Sequence, residues 1–265
     1  ANMYDKYQKI AMTSRLGIPL IYGVDAVHGH NNVKGATIFP HNVGLGCAND
    51  YELCRKVSKV TAVEVAATGI NWNFSPCIAI PQNEKWGRHY EGYSEHVDIV
   101  SNMGEASIIG YQTNELGSVN HSIVACAKHF IGDGATIWGT GMGNKPDKID
   151  RGNVQISDSL IRIKYLPPYQ KAIDAGVGSI MASFNSINDL KCHANGYLFN
   201  DLLKKELGFD GFVISDWQGI DEIPGDYKSD IVKSVNAGLD MIMVPGAVKG
   251  GGEHYKTFLR LFKES

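Results

Sequence analysis

Gly211-Phe-Val-Ile-Ser-Asp216-Trp217 is an apolar run that stops abruptly at a carboxylate and an indole. Phe212, Val213 and Ile214 show no polar alternation, which suits a strand buried on both faces of a parallel sheet. Helical sequence flanks it, Leu202 to Leu207 before and Ser229 to Ala237 after. In a β/α architecture the side chains at the carboxyl ends of strands face the active site, and Asp216 and Trp217 fall there. An alternative reading makes Asp216 the N-cap of the following helix.

Five more runs with strand character lie at Leu20 to Val24, Trp72 to Ile80, Ser122 to Phe130, Gly178 to Phe184 and Asp240 to Val244. Between them Tyr51 to Ala67, His96 to Leu116, Arg162 to Ala175 and Gly196 to Leu207 carry amphipathic helical patterns. Asp-Ala-Gly176 and Asn-Ala-Gly238 supply C-cap glycines. Alternating strands and helices predict βαβ units and a parallel sheet, hence the α/β class. No strand is followed by a dinucleotide or phosphate glycine fingerprint, which disfavours an open doubly wound sheet. A closed (β/α)₈ barrel needs eight strands in about 250 residues. Six runs are present, and the polar loops Pro81 to Ser94 and Gly132 to Gly152 use up length. The expectation is therefore an incomplete TIM-like barrel over 1–265, lacking its first strand and its chain end, with exposed strand edges.

Net charge is −3, which gives no argument for nucleic acid or an anionic membrane as partner. No stretch approaches the roughly 20 apolar residues of a membrane span, and residues 1–265 contain no basic segment followed by an apolar core of signal-peptide type, which decides nothing about compartment. The chain opens inside a helical pattern, Asn2 to Ala11, as a piece of a longer protein would. Five cysteines without metal-like spacing read as free thiols, with Cys77 and Cys126 buried in apolar runs. Asn73-Phe-Ser and Asn120-His-Ser match the glycosylation acceptor pattern; Asn73 falls in a strand, so only Asn120 is expected to be reachable. Nothing in the sequence sets an oligomeric state.

Polar groups gather at the strand ends. Asp25 closes the first, Lys128 and His129 end the third, Asp216 and Trp217 end the fifth, and Arg88 lies in the loop after the second. Two carboxylates, several cations and an aromatic facing one mouth suit an uncharged polyhydroxylated ligand, with charges balancing without a metal or other cofactor. Each residue has a structural alternative: a helix cap for Asp25, an ion pair with Glu84, Glu91 or Glu95 for Arg88, core packing for His129 and Trp217. Lys128 resists such a reading, because lysines are almost never buried unless paired. His28-Gly-His30 raises a metal-dependent barrel hydrolase, but the later strands end in Ser183-Phe-Asn185 and Ser215-Asp-Trp217 rather than histidines, and His193 falls outside that pattern.

Five segments in order resemble glycoside hydrolase family 3: Gly23-Val-Asp-Ala-Val-His-Gly-His-Asn-Asn32, Gly35-Ala-Thr-Ile-Phe-Pro-His-Asn-Val-Gly-Leu-Gly46, Trp86-Gly-Arg88, Ala127-Lys-His-Phe130 and Gly211-Phe-Val-Ile-Ser-Asp-Trp-Gln-Gly-Ile-Asp221. They look most like plant β-D-glucan exohydrolases and β-glucosidases. The resemblance implies a barrel-like first domain followed by an α/β sandwich domain that supplies the acid/base glutamate; that second domain is not expected within 1–265. It implies retaining, exo-acting hydrolysis of β-glucosides or β-glucans, with Asp216 as nucleophile. Asp25, Arg88, Lys128 and His129 would hold the glucose, and Trp217 would wall a neighbouring subsite. Phe184 lines the site where plant relatives often carry tyrosine. A secreted, cell-wall setting is likewise implied only by resemblance. The alternative is a non-catalytic sugar-binding remnant that keeps the pocket.

Overall fold

The computed structural model describes residues 2–142, 148–246 and 253–264. Its strands are short: β1 (Gly23–Val24), β2 (Trp72–Asn73), β3 (Val124–Phe130), β4 (Asn153–Val154), β5 (Ser179–Ala182), β6 (Ser186–Ile187), β7 (Leu190–Lys191) and β8 (Phe212–Ile214). Five of them form one sheet in the order β1-β2-β3-β5-β8, and every neighbouring pair is parallel. The order follows the chain and never reverses. A doubly wound sheet needs a reversal to place helices on both faces, so the winding is of the barrel kind.

The barrel is not closed among the described residues. The expected sixth strand is reduced to one parallel bridge, Ile214 to Met241. At the other edge, Leu20, Ile21 and Tyr22 are exposed and only Gly23 and Val24 pair. Apolar character there marked an edge that no further strand covers among the described residues, so the sequence reading overran the ladder at both ends.

The two faces of the sheet explain why its strands lack polar alternation. On one side Ala125, Ala127, Ile180 and Val213 join the main core with Phe130, Tyr169, Phe199 and Leu202. On the other, Trp72, Cys126, Met181 and Ile214 form a smaller cluster with Phe74 and Phe212. Side chains that alternate between two apolar faces read as continuous hydrophobic runs.

Helices α1 (Asn2–Met12), α2 (Asn42–Ala48), α3 (Tyr51–Ala67) and α4 (Val97–Gln112) lead into the second half. Asp50 caps α3 by accepting from the Leu53 amide at 2.9 Å, and the helix has the predicted bounds. Beyond β4, the three-residue α5 (Asp158–Leu160) widens into a π turn over Ile161–Tyr165 before α6 (Pro167–Asp174). Pro167 and Pro168 have no N–H to continue an α ladder, which splits the helix expected over 162–175. Tyr197–Glu206 is also π-helical; α7 (Tyr227–Asn236) and α8 (Glu253–Glu264) follow. Gly176 and Gly238, with φ of 75° and 108°, end helices as expected.

A second, three-stranded sheet, β4-β6-β7, lies outside every predicted strand. Its antiparallel pair turns through Asn188 and Asp189, both at positive φ (49° and 70°), which suits a two-residue hairpin. The hairpin matters because it leads directly into His193, which meets the Asp216 amide.

Phe130 is fully buried, with its ring edge-on to Tyr169 at 4.8 Å and 5.8 Å from Phe199. Phe130→Ala should destabilise the fold by about 3–5 kcal/mol, measurable as a lower urea midpoint at unchanged m-value.

Candidate active site

The carboxyl ends of β1, β3 and β8 and the loop after β2 surround a cleft of ≈ 730 Å³. Asp25, Arg88, Lys128, His129, Asp216 and Trp217 all line it, with Phe74, Met181 and Met243. Asp25 directly follows β1 and caps no helix. Lys128 and His129 are sequence neighbours, yet both reach the cleft. The register explains this: Ala127 pairs with Ile180 and Phe130 with Ala182, so β3 carries one more residue than β5 across the same step. Such a bulge re-aims side chains that would otherwise alternate.

Lys128 is buried (4% exposed), and its Nζ donates to Asp25 Oδ1 at 3.0 Å. Burial is the largest single effect and pulls this ammonium's pKa down, but the Asp25 charge, the Glu91 charge and the hydrogen bond to Asp25 together outweigh it and the net direction is up. The Asp25 side chain is 63% exposed, so its other oxygen faces the open cleft. Arg88 makes a two-pronged pair with Glu91, 2.8 Å at Nε and 2.9 Å at Nη2. This pair was one structural alternative for Arg88, and here it coexists with a place in the cleft wall.

The His129 tautomer follows from its partners. Arg88 Nη2 lies 2.8 Å from His129 Nε2, and a guanidinium only donates. Nε2 therefore accepts, the ring proton sits on Nδ1, and Nδ1 donates to Asp133 Oδ2 at 2.9 Å. Burial first, then Arg88 and Lys128, push the imidazole well below its ordinary range, so the ring is neutral. The 3.7 Å approach of His129 Nε2 to Asp216 Oδ2 is accordingly not an ion pair. Asp133 is buried, its Oδ1 has no hydrogen-bond partner, and burial raises it to about 7 against the pull of Arg88.

Asp216 follows β8 by two residues. Its Oδ1 accepts from the Trp217 amide at 2.6 Å, while Oδ2 is buried without a hydrogen-bond partner. No helix is capped: the next helical turn, Gly219–Glu222, starts after Gln218. Arg88 and Lys128 favour the charged carboxylate, but burial is the larger effect and the net direction is up. Trp217 is 59% exposed, so it is no packing residue. Phe184 is not part of the cleft lining; the Arg151 guanidinium lies over its ring at 3.9 Å.

His28 and His30 diverge. His28 Nδ1 meets the Phe39 carbonyl at 3.1 Å and its ring lies on His41, whereas buried His30 meets Thr68 Oγ1 at 3.1 Å. Among the described residues no group of three or more His, Cys, Asp or Glu is arranged to hold a metal. Asn73 is fully buried, bonding the Ala26 amide and carbonyl, while Asn120 is exposed. Cys77 and Cys126 are buried free thiols, each pushed up to about 12 by burial.

Two participants escaped the sequence reading. Asp133 sits between two glycines in Gly132-Asp-Gly134 and looks like a turn residue, although its four-residue spacing from His129 was visible. His193, set aside as a loop histidine, is fully buried, and its Nε2 accepts from the Asp216 amide at 3.0 Å.

The profile of the glycosyl hydrolase family 3 N terminal domain matches residues 1–259. The chain belongs to glycoside hydrolase family 3. Family 3 relatives include a lysosomal β-glucosidase of Dictyostelium discoideum, 34% identical over 239 residues, 86% of this chain and 28% of that protein. A periplasmic β-glucosidase of Salmonella typhimurium is 30% identical over 256 residues, 92% of this chain and 32% of that protein. The chain thus spans about a third of the length of these curated relatives. Among solved structures, a mutant exo-1,3/1,4-β-glucanase from a Pseudoalteromonas species superposes with a TM-score of 0.86 at 40% identity, covering 99% of this chain and 41% of that one. A β-glucosidase from Listeria innocua, in complex with gluconolactone, gives 0.84 at 31% identity, covering 99% and 34%.

The buried, raised Asp133 makes a stability prediction. Its folded pKa, about 7, lies above the ordinary 3.8, so the folded protein holds a proton that the unfolded chain releases as pH rises from about 4 to 7. Stability is lost across that window and stays lost above it. Asp133→Asn keeps an acceptor for His129 and removes the ionisation. Its Tm relative to wild type should rise between pH 5 and pH 8, by roughly 2–4 °C per kcal/mol recovered, as followed by calorimetry.

Proposed function

We propose that this chain carries the sugar-gripping and nucleophilic half of a retaining, exo-acting β-glucosidase or β-glucan glucohydrolase. The observation that supports it is Asp216 Oδ2: a buried carboxylate oxygen with no hydrogen-bond partner, on a cleft also lined by Lys128, Arg88 and His129. Asp133 Oδ1 is also buried without a partner, but Asp133 does not line the cleft; at Asp216 the unpartnered oxygen and the cleft coincide. The Listeria innocua neighbour was crystallised with gluconolactone, and its mutant with laminaribiose, which accords with a glucose-shaped subsite.

In this reading Asp25, Lys128, Arg88 and His129 hold the sugar hydroxyls. Asp216 Oδ2 attacks the anomeric carbon, the glycosidic C–O bond breaks, and the leaving oxygen takes a proton from a general acid. Water then adds to the glycosyl-enzyme, gives its proton to the same group as base, and releases glucose with retention. Retaining carboxyl pairs stand about 5–5.5 Å apart, so the acid/base must reach over this cleft. The family resemblance expects that glutamate from a second domain outside residues 1–265. Exposed Trp217 offers an aromatic face for the neighbouring sugar. The names of the relatives place some of them in the periplasm or the lysosome, which supports a non-cytosolic, secreted setting here. Exposed Asn120 would be an available glycosylation acceptor there.

A 2-deoxy-2-fluoro-β-glucoside with a dinitrophenolate leaving group needs no acid for the first step. It should add one fluoroglucosyl mass to the peptide containing Asp216, and Asp216→Asn should take up none. Saturable binding without a covalent adduct would instead establish the sugar-binding remnant. Natural glucans should turn over slower by roughly 10²- to 10⁴-fold in residues 1–265 alone, because their leaving groups need the proton.

The labelling rate should rise with pH as Asp216 ionises, along a limb above the ordinary carboxylate range because its pKa is raised. Lys128 favours the anion, so Lys128→Met should raise that pKa further and move the limb to higher pH. A limb that stays put, or moves to lower pH, would contradict this electrostatic account.

A further inference from the structure

His193 occupies a single helical turn, Cys192–Ala194, directly after the β6–β7 hairpin. It is fully buried and 23 residues from Asp216 in sequence, yet its Nε2 lies 3.0 Å from the Asp216 amide nitrogen. An amide N–H donates, so Nε2 must be the unprotonated nitrogen and the ring proton sits on Nδ1. Nδ1 has no hydrogen-bond partner of good geometry, so the one well-made contact of this ring is the one to Asp216.

The rest of the Asp216 backbone is also held. Its carbonyl accepts from the Gly219 amide at 3.0 Å and from Ser215 Oγ at 2.9 Å, and the Ser215 amide donates to Met241. Position 219 must be glycine for the chain to close over the imidazole, since a Cβ there would sit 2.2 Å from His193 Nε2. The environment also dictates the chemistry of the acceptor. A carboxylate in place of the ring would put a second negative charge beside Asp216 and hinder its ionisation. A lysine or arginine would offer no lone pair at all. A neutral imidazole supplies an acceptor without a charge. Burial first, then the Lys191 ammonium, push this ring down to about 3, while the Ser183 backbone pulls the other way.

We propose that His193 is a positioning residue for the nucleophile: its neutral Nε2 fixes the Asp216 amide and so sets where Oδ2 meets the anomeric carbon. This rests on the reading of Asp216 as nucleophile. Oδ1 is tied to the next amide, so the orientation of Oδ2 follows the backbone at 216 and 217. A small shift of a reacting atom costs up to roughly 100-fold in rate without changing how tightly substrate binds.

The test compares wild type, His193→Leu and His193→Gln in the full chain, with the fluoroglucoside above as probe. In His193→Leu the limiting labelling rate should fall roughly 10- to 100-fold, with the half-saturating probe concentration within about threefold of wild type. His193→Gln, whose amide oxygen can accept, should recover most of that rate. An unchanged rate in the leucine variant, or a loss confined to probe affinity, would overturn the proposal. If the leucine variant does not fold, ¹⁵N NMR of the wild type still decides. The Nε2 resonance should remain that of an unprotonated, hydrogen-bonded nitrogen from pH 8 to pH 4.5, whereas a ring titrating near 6.5 refutes the role. Should wild type itself take up no label, the nucleophile reading fails separately. Slow exchange of the Asp216 amide in wild type, and fast exchange in His193→Leu, would still show that His193 holds that amide.

Discussion

Burying charge at the ends of parallel strands is the constraint on which this site depends. Removing an ammonium from water costs several kcal/mol unless a partner stays within reach. Lys128 meets that demand through Asp25 at 3.0 Å, and Arg88 meets it through both oxygens of Glu91. The two pairs differ in what they leave open. Glu91 is 18% exposed and fully engaged by the fork, so that pair is fixed structure. Asp25 is 63% exposed and uses one oxygen, so the Lys128 pair presents acceptors and donors to the cleft while remaining neutral overall. A polyhydroxylated, uncharged ligand can exchange hydrogen bonds with such a pair without leaving an ion dry.

Asp216 is treated in the opposite way. It sits in the field of Arg88 and Lys128 but is not bonded to either, and burial dominates its proton affinity. A carboxylate locked in a salt bridge would be ionised and inert. One that is desolvated, held on Oδ1 by an amide and unpartnered on Oδ2, keeps a lone pair available for attack at the cost of a raised pKa. Field without contact distinguishes Asp216 from Asp25, although both are aspartates at strand ends lining one cleft.

Much of this was legible because strand ends are marked locally. Leu20 to Asp25, Val124 to His129 and Gly211 to Trp217 each switch from apolar to polar within a residue or two, and the parallel sheet brings those switches to one side. Helix α3 was readable to the residue because its period and its Asp50 cap agree. What escaped depends on partners distant in sequence. Whether Leu20 to Tyr22 pairs depends on a neighbouring strand, not on its own composition. The role of His193 depends on the β6–β7 hairpin, whose one local signal, Asn188-Asp189, is an ordinary turn pair. Phe184 was placed in the site by the family resemblance, but Arg151, 33 residues away, lies over its ring. α8 follows a glycine-rich stretch, and its Tyr255, Phe258, Leu259 and Phe262 spacing went unread for that reason.

The two buried imidazoles complete the electrostatic picture. His129 and His193 are both held neutral by burial, both carry their proton on Nδ1, and both present Nε2 as an acceptor, one to Arg88 and one to the Asp216 amide. Neither adds charge near the nucleophile, so it is Arg88 first, then the Trp217 amide, Lys128 and Arg151, that oppose the cost of burial at Asp216. Protonating either ring would replace a lone pair with a donor facing a donor, breaking the contact and adding a cation in one step. Histidine serves here as a rigid, uncharged acceptor rather than as a proton shuttle.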